Sequence, residues 1–174
     1  MILLVHMLFG AAIGSIVKNP MLAVFLALLG HYFLDIFPHI EYLESTEESI
    51  KKIKSGKWQE HLPDMLKVFL DFCLGILAIF IFSNPPYLSG LLNRPIIYVC
   101  AFIALIPDGL TVLSNIFTQS KNPASDTIFN KIFSMHDWFN IQKVHFLKHK
   151  KFSKVWRITT QVLATIISII LLKI

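Results

Sequence analysis

Cysteine is scarce in this sequence: Cys73 and Cys100 both lie inside apolar runs, and there is no Cys-x-x-Cys pair. With no dithiol motif, both read as small core residues that say little about redox compartment. There is no glycine-rich phosphate loop, no internal repeat and no low-complexity tract, which argues against phosphate-loop nucleotide binding and repeat arrays. No serine or cysteine nucleophile with a paired histidine stands out, and this disfavours covalent acyl transfer. The first residues lack a basic leader and a small-residue cleavage site. Met1 to Val17, apolar apart from His6 and Ser15, is therefore expected to be a retained helix rather than a signal peptide.

What is abundant is apolar sequence. Apolar residues make up 55% of the 174-residue chain and the mean hydropathy is +0.62, well above an ordinary soluble domain. The length fits one domain, residues 1–174. The expected fold is all-α: a membrane-embedded bundle of about five apolar helices with a surface helix. Lys18-Asn19-Pro20 is a turn, followed by a second apolar helix over Met21 to Phe37. In the polar interval Glu41 to Asp64, acids at Glu41, Glu44, Glu47 and Glu48 precede Lys51, Lys52, Lys54 and Lys57. That order favours a solvated surface helix. Leu62 to Phe82 is a third apolar segment, with Asp64, Lys67 and Asp71 in its first half, and Asn84 to Pro95 is a loop. Ile96 to Ile106 is a fourth apolar run, short for a span, and Pro107-Asp108-Gly109 punctuates it. Asp108 there either lines a bend or caps the next helix. After a polar segment from Asp126 to Lys151, Trp156 to Leu172 forms the last helix, with Trp156 and Arg157 as interfacial anchors.

The chemistry-bearing stretch is Gly30-His31-Tyr32-Phe33-Leu34-Asp35-Ile36-Phe37-Pro38-His39. His31 and Asp35, four apart, share one helix face. Pro38 ends the helix, leaving His39 free to fold back toward Asp35. Imidazole and carboxylate at this spacing suit a divalent metal such as zinc. The competing reading is a helix end made polar by contact with water or headgroups. Ionisable groups inside a membrane are costly and are functional by default.

Counting helix crossings strengthens the metal reading. If the first two helices are antiparallel about Lys18-Asn19-Pro20, His6 comes level with the region of Phe33, between His31 and Asp35. The third helix starts at that level and the fourth returns to it, delivering Asp108. The candidate ligands are thus His6, His31, Asp35, His39, Asp108 and His136, with His145 an alternative or additional late histidine. On this side lie Lys51, Lys52, Lys54, Lys57, Lys67, Lys121, Lys131 and the cluster Lys143 to Arg157, against only Lys18, Arg94 and Lys173 on the other. The basic bias makes the histidine-bearing face cytoplasmic. The Lys143–Arg157 cluster also suits anionic lipid headgroups, and no nucleic acid partner is expected.

The His31-x-x-x-Asp35 step with His39 close behind resembles the zinc-dependent phospholipase C and single-strand nuclease superfamily, all-helical enzymes with a multi-zinc cluster. The chain is also similar to small membrane proteins described as metal-dependent hydrolases. The shared features are an early histidine (His6), the His31-to-His39 helix end, a Pro107-Asp108 pair, and His136 or His145. The resemblance implies one to three zinc ions and hydrolysis of phosphodiesters or lipid headgroups. Asp35 and Asp108 would be the catalytic carboxylates, with Asp108 or Asp137 positioning water. The alternative expectations are a non-enzymatic metal-binding or transport protein, or a structural membrane protein whose histidines cap helices. Cysteine-accessibility labelling is expected to find position 150 on the cytoplasmic side and position 86 on the other; labelling of both from one side would refute this topology.

Overall fold

The computed structural model describes residues 3–37, 39, 58–83, 95–110 and 153–173, with side chains in the third segment from residue 66. Residues 41–57 of the polar interval expected to hold the surface helix, Pro86, His136, Asp137, His145 and residues 143–151 of the basic cluster lie outside the described residues, whereas residues 58–64 of that interval belong to the third helix. Five helices are described: α1 Leu3–Ile16, α2 Pro20–Asp35, α3 Trp58–Ser83, α4 Pro95–Ile103 and α5 Lys154–Leu172. A further helical turn covers 106–110, and no strand occurs among the described residues.

Local chemistry explains the boundaries. The Asn19 side chain accepts from the amides of Met21 at 3.0 Å and Leu22 at 3.2 Å, with Pro20 at the first helical position, a pairing that nucleates a helix start. α2 closes on tightened bonds from Ile36 to Phe33 at 3.3 Å and from Phe37 to Leu34 at 3.2 Å, just ahead of Pro38. Ser153 caps α5 through Trp156 N at 3.3 Å.

The apolar run over Ile96 to Ile106 is not one helix. α4 stops at Ile103, residues 104–105 form a turn, and the helix resumes at 106. The break falls three residues before the Pro107-Asp108-Gly109 signal because proline acts backwards. It has no amide to offer the carbonyl four residues earlier, that of Ile103, and its ring crowds that carbonyl. Asp108 accordingly sits within the turn 106–110 and not at its cap.

α1 is the hub, packed against all four other helices. Contacts of Ile13 and Val17 with Ala23 and Ala27 at one end, and of His6 with Asp35 at the other, make α1 and α2 antiparallel. α4 is antiparallel to α1 as well: Gly10 meets Cys100 and Ala104, and Gly14 meets Ile96 and Ile97. α3 and α5 run parallel to α1, since Leu4 meets Asp71, Met7 meets Gly75 and Ser15 meets Leu171. The starts of α1, α3 and α5 and the ends of α2 and α4 therefore share one end of the bundle. The core holds Met7, Leu8, Ala11, Ala12, Ile79, Ile97, Ala101 and Leu172.

Two glycines on α1 set how close α4 can come. A Cβ on Gly10 would lie 2.5 Å from the Cys100 carbonyl oxygen, and one on Gly14 would lie 2.9 Å from that of Ile96. Backbone, not a flexible side chain, fills both spaces. This Gly10-x-x-x-Gly14 contact is the small-residue packing of apolar helices. At the start of α1, Leu4 N donates to the buried Asp71 carboxylate at 3.2 Å, so α3 caps an end that α1 does not cap from its own sequence.

Beside the buried Leu34 and Leu172, α2 and α5 bury small and polar residues and expose large apolar ones. α2 buries Ala23, Ala27, Gly30 and His31 while exposing Met21, Phe25, Leu29 and Phe33; α5 buries Gln161 and Ser168 while exposing Ile158, Val162, Leu163, Ile166 and Ile170. Two helices are long and apolar enough to cross a membrane, over Leu66–Ser83 and Lys154–Leu172. α1 and α2, at 14 and 16 residues, extend about 21 and 24 Å, short of the roughly 30 Å hydrocarbon core. Thermal unfolding in detergent should register the glycine contact: Gly10→Ala is expected to cost about 1–3 kcal/mol by overpacking. Gly109→Ala, where an added Cβ meets nothing within 4 Å, should be neutral or stabilising; equal effects of the two would refute the close approach.

Candidate metal centre

Four of the candidate residues come together where α1 begins and α2 ends. His6 lies on the buried face of α1, and His31 is in the last turns of α2 with Asp35 as its final residue. Asp108 arrives from the turn beyond α4. The two imidazoles stack, with centroids 4.2 Å apart and planes at 28°. Both side chains are 0% exposed, against 12% for Asp35 and 41% for Asp108, so the cluster opens outward on the Asp108 side.

His31 carries the most information. Its Nδ1 is 2.7 Å from the Ala104 carbonyl oxygen. A carbonyl only accepts, so Nδ1 holds the hydrogen, and in the neutral ring the lone pair belongs to Nε2. That Nε2 faces Asp35 Oδ2 at 3.1 Å and Asp108 Oδ1 at 3.7 Å, and His6 Nε2 faces Asp35 Oδ1 at 3.4 Å. None of these approaches is aligned as a hydrogen bond from the imidazoles: His6 Nδ1, His6 Nε2 and His31 Nε2 are buried without a hydrogen-bond partner. The Nε2 lone pair of a neutral His31, set this close to carboxylate oxygens, is repelled unless a proton or a cation supplies positive charge there.

The spacing is compatible with a metal ion. Donors bound tetrahedrally at about 2.1 Å from zinc sit roughly 3.4 Å from one another, the range of the carboxylate–imidazole separations here. One ligand atom each from His6, His31 and Asp108 fall within 4.8 Å of one another, a group that could hold a metal ion. Asp35 lies against both imidazoles from the side of α2. His31 already has the backing that metal-bound histidines carry, a carbonyl on the far ring nitrogen.

His39 is not one of the three grouped ligands; its Nδ1 bonds back to the Phe37 carbonyl oxygen at 2.8 Å. His136 and His145 lie outside the described residues. Two contributors were not singled out from the sequence. The Ala104 carbonyl carries no side-chain signal, because any residue supplies one. Gly10, whose missing Cβ lets Cys100 and Ala104 approach α1, did have a signal in the Gly-x-x-x-Gly spacing within an apolar run.

The chain matches no protein-family model, no curated protein and no solved structure. Substituting His31→Phe keeps a ring but strands the buried Ala104 carbonyl. In chelator-treated protein this is expected to cost about 1–3 kcal/mol, read as a lowered unfolding temperature; unchanged stability would show that the 2.7 Å contact contributes nothing.

Proposed function

We propose that the protein is a membrane-embedded, zinc-dependent hydrolase acting on phosphodiester or lipid-headgroup substrates. The observation that carries the metal reading is the His31 ring. With Nδ1 committed to Ala104, its Nε2 points at two carboxylates and needs a cation or a proton there. An ion is favoured over a proton because the buried His6 nitrogens also lack hydrogen-bond partners, and one ion serves both rings.

His6, His31 and Asp108 would hold the first ion, and Asp35 would complete or bridge its shell. One to three ions are in keeping with the resemblance of the His31–His39 stretch to the zinc-dependent phospholipase C and nuclease superfamily. Zinc bound there would supply Lewis acidity toward a phosphoryl oxygen and would acidify water at neutral pH. Asp108, the most exposed of the four, is the carboxylate that incoming water and substrate meet first, and it would orient the water for attack. Asp35, largely enclosed, keeps the two imidazoles facing one point.

The membrane assignment is supported by the large apolar side chains exposed on α2, α3 and α5 and by the two helices long and apolar enough to span. Lys67 on α3 and Lys154 and Arg157 at the start of α5 lie toward the site end, and with the basic run Lys143 to Arg157 of the sequence they support a cytoplasmic orientation and contact with anionic headgroups. The opposing reading is a metal carrier. It is weakened by the sequence between the site and the far end, where Met7 to Ile16 and Met21 to Gly30 contain no ionisable side chain. A transport path calls for such groups along its length.

Metal analysis of detergent-purified protein is expected to give bound zinc in the wild type, with less in Asp35→Ala and in Asp108→Asn while both stay helical. Phosphodiester hydrolysis should fall with metal content and return on zinc addition to the wild type after chelation. Absence of metal in the wild type would falsify the centre; bound metal without hydrolysis of soluble diesters or phospholipids would leave the carrier reading standing.

A further inference from the structure

The single His31 ring is held twice by one short stretch of chain. Ala104 takes its Nδ1 at 2.7 Å and Asp108 faces its Nε2 at 3.7 Å, and fully buried Pro107 lies between them in sequence. In an unbroken α-helix the Ala104 carbonyl would lie along the helix axis and accept from the amide of residue 108, giving a side chain from another helix little access. Here the chain turns at 104–105 and regains helical bonding only with Gly109 N to Leu105 O at 3.0 Å. The missing amide and bulky ring of Pro107 provide the cause of that break.

Taking the cluster as a metal centre, we propose that Pro107 is a positioning residue for it. The break it imposes on α4 turns the Ala104 carbonyl toward His31, fixes the hydrogen on Nδ1, and so directs the Nε2 lone pair at the ligand position shared with His6 and Asp108. Its effect passes through the tautomer and orientation of one imidazole. Gly10 assists from the other side, since an added Cβ there would lie 2.8 Å from that of Ala104 and would push the broken turn away from the histidines.

The test reads the ring directly. In metal-free, detergent-purified protein with 15N-labelled histidine, the His31 signals, identified by their loss in His31→Gln, should report hydrogen on Nδ1. Pro107→Ala should give a mixed or reversed tautomer. Cobalt titration followed by visible absorption should then show 10–100-fold weaker binding in Pro107→Ala, the usual effect of losing an outer-shell partner, with an altered ligand-field spectrum. A purely structural role for Pro107 would lower the unfolding temperature and leave the tautomer and the cobalt spectrum of the folded fraction as in the wild type; that result overturns the proposal. If Pro107→Ala does not accumulate, the wild type decides, because hydrogen on His31 Nε2 in the metal-free protein overturns it equally. Failure of the wild type to bind cobalt, with the tautomer still dependent on Pro107, removes the metal centre itself and identifies which of the two readings was wrong.

Discussion

The close approach of α1 to α4 is the constraint on which the rest of the structure depends. Gly10 and Gly14 let the α4 backbone come within a distance that a single Cβ would block. Because α4 is antiparallel to α1, this contact carries the chain beyond Ile103 to the level of His6. Ala104 and Asp108 then reach His31, which stacks on His6. Without that approach, two buried imidazoles would share one end of the bundle with a single carboxylate, and the far nitrogen of His31 would lack its carbonyl.

The contacts between the helices combine small residues with polar groups. The interior between the helices holds glycine, alanine, serine, glutamine and histidine beside Met7, Leu8, Leu34, Ile79, Ile97 and Leu172, while many other leucines, isoleucines and phenylalanines face outward on α2, α3 and α5. Small residues at the contacts let the helix backbones approach closely, as Gly10 and Gly14 do for α4, and polar groups pair across the helices. The buried Asp71 accepts from the first turn of α1, so a backbone group left over at that helix start is satisfied by another helix.

The site then differs from its surroundings in kind. Most buried polar groups of the bundle have partners: Ser15 bonds Ala12 and Leu171, Ser168 bonds Ala164, and Asp71 takes Leu4. The two histidines are set against carboxylates with nitrogens that no hydrogen bond satisfies. Tyr98 Oη is also buried without a hydrogen-bond partner, so what sets the histidines apart is that their nitrogens converge with carboxylate oxygens at one place.

By itself the sequence determined the helices, the turn at Lys18-Asn19-Pro20 and the pairing of His31 with Asp35. These follow from local chemistry: apolar runs, an asparagine cap ahead of proline, and a four-residue spacing on one helix. Counting residues about that turn also brought His6 level with α2, because an antiparallel hairpin fixes which residues face each other. The structure alone decided where α4 breaks, since the proline's effect falls on the turn before it, and where the histidine's second nitrogen finds its acceptor, since a backbone carbonyl leaves no mark in a sequence. It alone decided that His6, His31 and Asp108 form the group while His39 turns back on Phe37. Which donors converge depends on distances of a few tenths of an ångström between helices far apart in the chain, and those distances are set by packing.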